Sequence, residues 1–331
     1  MRSRLQATAR RMGFSDGQRE NMVLVAAEMV SNQIKYAGGH GMMQLWQQPG
    51  LVLDLLAFDY GPGISNLALA HRDGYSSSKT LGKGLGTIRS LSHESGIFTV
   101  PEVGNAGVNV PWHGCAFWSR FTTSPKKPVE APAANPRETK PGFVVGLFIR
   151  ALTDDRYNGD RIYLEQHEGM LRWLHMDGLG HGELAQKATD NLADLLFINP
   201  DVLHVLDKVD LQLKTTRGAV AMLSDLDTNT MKAQILGVGD MSAYFYIDDQ
   251  LQNITFSPGI LGKEHKTPRV MPIDLKKQSM VITASDGIRR SWNEASFPGL
   301  WKQHPQLIAY VLGNILGRGS DDQSLCVVSV T

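Results

Sequence analysis

The sequence predicts an α+β protein of two domains, and three observations carry that prediction. A proline-rich stretch near the middle divides the 331 residues. Ahead of it, a long helical pattern precedes an apolar strand that ends in FDYGPGI. Beyond it, aspartates stand at the boundaries of apolar strands, two of which run straight into one. Each half is long enough to bury a core of its own.

The dividing stretch, SPKKPVEAPAANPRETKPG, holds five of the fifteen prolines and almost no large apolar side chain. It reads as an extended tether over 124–141, able to span roughly 55 Å if fully polyproline-like. The domains are therefore expected at 1–123 and 142–331. Lys+Arg and Asp+Glu both number 33, so no global basic field draws the chain to nucleic acid or anionic lipid. No apolar run approaches the ~20 residues of a membrane span. MRSRLQATARRMGF lacks the apolar stretch of a signal peptide. A cytoplasmic protein is expected, with Cys115 and Cys326 as buried reduced thiols, since neither lies in a CxxC spacing.

In the first half a helix is expected to start near Leu5. In NMVLVAAEMVSNQIKYAGG, apolar Met22, Val25, Ala26, Met29 and Val30 recur at helical spacing and form one stripe. Glu28, Asn32 and Lys35 follow at steps of four and three and line another face. LVLDLLAF reads as a buried strand, which Asp59, Gly61, Pro62 and Gly63 bring to an end. Further on, DGYSSSKTLGKGLGTIRSLS sets Gly82, Gly84 and Gly86 just ahead of a helix-like run, Thr87 to Ser92. Bare backbone there suits an anion, as does the helix dipole. The glycine spacing alone matches neither the Rossmann nor the Walker pattern.

Taken together, Glu-x-x-x-Asn, Asp-x-Gly-x-Gly-Ile and the glycine run resemble the ATP-binding fold of the GHKL (Bergerat) class. Within it, SNQIKYA, FDYGPGI and RDGYSSSKTLGKGLG look most like the RsbT type of serine/threonine switch kinase, over roughly residues 10 to 121. The resemblance implies an α/β sandwich that binds ATP with Mg2+. By it, Asn32 holds the magnesium, Glu28 acts as base toward an attacking hydroxyl, and Asp59 accepts from the adenine amino group. Gly61 and Gly63 admit the base, Gly82, Gly84 and Gly86 wrap the phosphates, and Lys35 is a candidate phosphate contact. Family members usually begin with a strand, whereas this sequence opens on a helix.

In the second half, GFVVGLFIRAL and MLRWLHMDGLGHG read as buried strands, the latter ending in Asp177 and Gly178. ELAQKATDNLADLLF reads as a helix. SMVITASDGI runs into Asp286, Asp160 precedes the strand RIYLEQ, and Asp321 and Asp322 precede the last strand. A single Asp-Gly is most often a hairpin corner. Several acids at strand boundaries would repel one another unless they share cations. An all-oxygen donor set suits magnesium or manganese.

The ordered set NGD, MDGLGHG, ASDGI and DDQS resembles the PPM superfamily of metal-dependent serine/threonine phosphatases, closest to its SpoIIE and RsbX branch. The match covers nearly all of 142–331. It implies two central antiparallel sheets flanked by helices and two Mn2+ or Mg2+ ions. By it, Asp177 bridges the ions, the Gly178 carbonyl assists, Asp160, Asp286 and Asp321 complete the set, and Asp322 is a second choice. His181, inside the glycine turn, is a candidate to face the water. The joint implication is a regulator that phosphorylates and dephosphorylates Ser/Thr on a STAS-domain partner, in a partner-switching or stressosome pathway. The partner would be an anti-sigma antagonist or a stressosome protein, with a sigma factor or response regulator as further candidates. Two alternatives stand beside it: a phosphatase with an ATP-sensing first half, and a phosphatase fused to a sequestering module of the anti-sigma type.

Overall fold

The computed structural model describes residues 1–67, 81–102, 110–124, 142–152, 156–197 and 201–331. The stretch expected as a tether therefore lies almost wholly outside the described residues. The chain forms two compact units. One comprises Met1–Pro136 together with Ala295–Leu307, and the other Arg137–Glu294 with Ile308–Thr331. The assignment of Ala295–Leu307 to the first unit departs from the expectation that 142–331 stands as one block.

In the first unit, helix α1 (Arg2–Arg11) turns at Gly13, whose φ is +84°, into α2 (Asp16–Tyr36). The second helix starts on a capping box. The Ser15 hydroxyl accepts from the Gln18 amide, and the Gln18 side chain accepts from the Ser15 amide. The strands are β1 (Gly41–Gln48), β2 (Val52–Asp59), β3 (Glu94–Val100) and β4 (Gly114–Thr122). They form an antiparallel sheet in the order β1-β2-β4-β3. The helical stripe Met22, Val25 and Met29 packs with Leu5 and Phe14 onto Leu53, Leu55, Ala57, Phe117 and Phe121. Strand alternation sends Asp54, Trp118 and Arg120 to the opposite face. There Arg120 forms a bidentate pair with buried Asp54, both bonds 2.9 Å, and donates to Gln306. His304 stacks on Trp118 with ring centres 4.6 Å apart. Ala295–Leu307 thus covers the face that the helices leave open.

Helix α3 (Leu81–Leu91) completes the first unit. It starts six residues earlier than the helix-like run beginning at Thr87, so Gly82, Gly84 and Gly86 lie within the helix and not ahead of it. Much of the glycine-serine segment before it, 68–80, is outside the described residues.

The second unit is a stack of two five-stranded antiparallel sheets. Its strands are β5 (Phe143–Arg150), β6 (Asp160–His167), β7 (Met170–Gly178), β8 (Ala219–Asp227) and β9 (Lys232–Val238). They continue with β10 (Ser242–Ile247), β11 (Gln250–Ile254), β12 (Met271–Asp274), β13 (Met280–Ala284) and β14 (Gln323–Val330). The sheet orders are β11-β10-β13-β14-β5 and β12-β9-β8-β7-β6. Leu171, Trp173, Met222, Phe245, Val281, Cys326 and Val328 fill the space between them. On the outer face of the second sheet, α4 (Glu183–Thr189) and α5 (Val202–Leu213) cover Leu174, Met176 and Leu223. The segment expected as one helix, ELAQKATDNLADLLF, is two pieces. It breaks at Asn191, whose φ is +62°, before a short 3-10 turn at Ala193–Phe197. Both cysteines are buried and free. Among the described residues no helix is long and apolar enough to cross a membrane.

Candidate functional site

Two sites emerge, one in each unit. In the first, Glu28 and Asn32 stand one turn apart on α2, Glu28 half-buried and Asn32 buried. Helix α3 meets them at Gly84. A Cβ built on Gly84 would come within 2.8 Å of Glu28 Oε2 and 3.9 Å of Asn32 Oδ1. The glycine is what allows the two helices to approach at these side chains. Gly84→Ala should therefore displace the Glu28 carboxylate while adding helix propensity of up to about 1 kcal/mol. The expected result is an unchanged or raised melting temperature, with the Glu28 carboxylate swung away from α3 in a crystal structure of the variant.

Asp59 closes β2 and is buried. Its Oδ1 accepts from the Gly61 and Cys115 amides, both at 3.0 Å, which leaves Oδ2 outside these two bonds. Burial raises its pKa, and the two amide bonds oppose that shift. Gly61 lies against the end of α2, where a Cβ would sit 2.7 Å from that of Ala37. Gly63 has φ +70° and presses on the Val100 carbonyl, so it must be glycine. Lys35 lies one turn further along α2 than Asn32. It is exposed and lines an apolar groove with Leu5, Val23, Ala27 and Ser31.

In the second unit the acids meet at one end of the stack. Asp160 and Asp177 face each other across β6 and β7, so their side chains share a face. Asp286 follows β13 in a turn, and Asp321 precedes β14. Burial raises the pKa of Asp177 most. Asp160, Asp286, Asp321 and Asp240 raise it further, in that order. Asp160 is fully buried and its pKa is also raised, chiefly by burial. Asp286 is raised by burial and by Asp240 and Asp321, against Arg318 and Arg290. Among the described residues, no three acid, His or Cys side chains are already drawn together into a ready-made cation cage. The acids lie instead within electrostatic reach of one another. The donor set fits a hard divalent cation on two counts: it is all oxygen, and Asp160 Oδ1 is buried with no hydrogen bond of normal length, while the Ser324 and Ser285 hydroxyls favour the ionised carboxylate.

Gly178 permits the close packing of this corner, since a Cβ there would sit 2.4 Å from the Ala185 carbonyl. Asp322 has a different task from the other acids. Its two oxygens accept from the Leu152 and Gly159 amides, both at 2.7 Å, and so hold the backbone at Gly159 next to Asp160. It serves as a clamp and not as a free ligand. Asp322→Ala should cost on the order of 3 kcal/mol in chemical denaturation, because two backbone donors lose a charged acceptor. His181 is exposed.

Sequence reasoning missed Asp240. It follows β9 in LGVGD and acts electrostatically on both Asp177 and Asp286. Its signal was the same as the others, an acid just past an apolar strand. It also missed His175, whose neutral form is favoured by complete burial, with a pKa pushed down to about 3.

No protein-family model matches the chain. The chain is similar to the serine/threonine-protein kinase RsbT of Bacillus subtilis (strain 168), 28% identical over 106 residues, which is 31% of this chain and 80% of the relative. Among solved structures it is similar to RsbX in complex with magnesium, at 17% identity and a TM-score of 0.50, over 57% of this chain and 96% of that one. It is also similar, at 23% identity and a TM-score of 0.50, to a structure described as "The bacterial stressosome: a modular system that has been adapted to control secondary messenger signaling". That likeness covers 56% of this chain and 98% of the other. The structural likenesses show that part of the chain has the fold of RsbX.

Proposed function

We propose that the chain is a two-way regulator of a phosphoprotein, with an ATP-dependent serine/threonine kinase in the first unit and a metal-dependent serine/threonine phosphatase in the second. The observation that carries the phosphatase reading is the meeting of Asp160, Asp177, Asp286, Asp321 and Asp240 at one end of the stack, with a buried Asp160 oxygen that makes no hydrogen bond of normal length. Asp160, Asp177, Asp286 and Asp321 would hold two Mn2+ or Mg2+ ions, with the Gly178 carbonyl assisting. When bound, such ions neutralise a phosphate and acidify water. Asp177 and Asp160 would hold the ions from two adjacent strands, and Asp322 accepts from the Gly159 amide just ahead of Asp160.

For the first unit, similarity to RsbT and the packing of Gly84 on Glu28 and Asn32 support a nucleotide site. Asn32 would hold Mg2+ on ATP, Asp59 Oδ2 would accept from adenine, and Glu28 would take the hydroxyl proton of the acceptor serine or threonine. The acceptor is a STAS-domain protein, either an anti-sigma antagonist or a stressosome component. Incubating the protein with γ-labelled ATP and candidate STAS partners tests this. Label should enter one partner and leave it on addition of Mn2+, and a chelator should stop its release. If ATP binds but every partner stays unlabelled, the first unit is a nucleotide sensor.

A further inference from the structure

The inner row of β7 runs Leu171, Trp173, His175, Asp177, so the apolar core turns polar one step before the acid. The facing sheet does the same. Val281 gives way to Thr283 on β13, and Cys326 is preceded by Ser324 on β14. These polar residues meet. His175 Nδ1 lies 2.8 Å from Thr283 Oγ1, and its Nε2 lies 2.7 Å from Ser324 Oγ. The Ser324 hydroxyl donates to Asp160 Oδ2 at 2.6 Å. All four residues are fully buried.

We infer that His175, acting through Ser324, is a positioning residue that holds Asp160 with Oδ2 tied back and Oδ1 directed at the cation. This rests on the metal-site reading proposed above. The direction of each bond follows from proton counting. The Ser324 proton is engaged on a carboxylate, so its oxygen accepts from His175, which fixes the imidazole as the Nε2–H tautomer. The neutral ring then has a bare Nδ1, and the Thr283 hydroxyl donates to it. With Asp160 ionised, as a cation ligand must be, a single orientation satisfies every member, and it crosses from one sheet to the other. Hydrogen-bonded groups behind a ligand orient it, and removing one typically lowers metal affinity 10- to 100-fold.

The test uses the full chain. In wild-type protein saturated with Mg2+, which keeps Asp160 ionised, nitrogen NMR should show His175 protonated at Nε2 and bare at Nδ1. The opposite tautomer overturns the inference without any variant, because Ser324 would then have to donate to His175 and release Asp160. Mn2+ affinity, read by calorimetry, should fall about 10- to 100-fold in Ser324→Ala and recover in Ser324→Thr. His175→Phe should weaken Mn2+ binding, and the double variant should be no weaker than Ser324→Ala alone. Additive losses would mean that His175 does not act through Ser324. Unchanged affinity in Ser324→Ala, with normal wild-type binding, refutes the positioning role and spares the metal site. Wild-type protein that binds no Mn2+ removes both.

Discussion

Asp177→Asn and Asp286→Asn are each expected to reduce hydrolysis of a phosphoserine protein by at least about 100-fold while leaving ATP binding intact. The warrant is that a direct ligand matters more than the groups behind it, which already account for 10- to 100-fold. Stability should move the other way. In the metal-free protein the half-buried Asp177 carboxyl faces four other acids, all of which raise its pKa. Replacing it removes a charge that the fold disfavours, so metal-free Asp177→Asn should melt higher than wild type. The same logic fixes a pH dependence. Asp160, Asp177 and Asp286 all have pKa values raised above the ordinary 3.8. Their protonated forms favour the native state below that value, and this contribution is lost as pH rises through the raised values. Metal-free protein should therefore lose stability from about pH 4 through neutrality, and Mn2+ should restore it. Undiminished hydrolysis in both variants would falsify the metal-site assignment.

The second large effect separates Asn32 from Glu28. An amide holding Mg2+ on the nucleotide acts in the ground state, whereas a base acts mainly in the transition state. Asn32→Ala is expected to abolish measurable ATP binding by calorimetry. Glu28→Ala should bind ATP normally and transfer phosphate about 100- to 10,000-fold more slowly. The packing at Gly84 bears on both, since one helix approaches the two side chains together. Normal ATP affinity in Asn32→Ala would reverse this division of roles.

Much of this was legible in the sequence because it is local. Asp177 and Asp286 each interrupt an apolar run, and a run that stops on an acid is visible without coordinates. Asp240 carried the same signal in LGVGD, an acid just past an apolar strand, and only its electrostatic effect on Asp177 and Asp286 sets it apart from an ordinary turn. His175 was hidden for a different reason: a lone histidine in a buried strand is ordinarily a satisfied core group, and only the facing sheet shows what satisfies it. The start of α3 was misjudged because glycine is the poorest ordinary helix former. Packing against α2 overrides that preference where a larger side chain would collide with Glu28. Lys35, placed by spacing and by the resemblance, is exposed and lines the groove beside α1.

The place of Ala295–Leu307 in the first unit has a consequence for the order of events during translation. Residues 1–124 can gather the helices and the four strands as soon as they emerge, but Trp118 and Arg120 then wait for His304 and Gln306. About 160 residues separate Pro136 from Ala295, and ribosomes add roughly 5–20 residues per second. For roughly 8 to 30 seconds the nascent sheet presents a bare Trp118 face to whatever chaperone or neighbour is nearby. The unit that begins first is finished only after most of the second has been made.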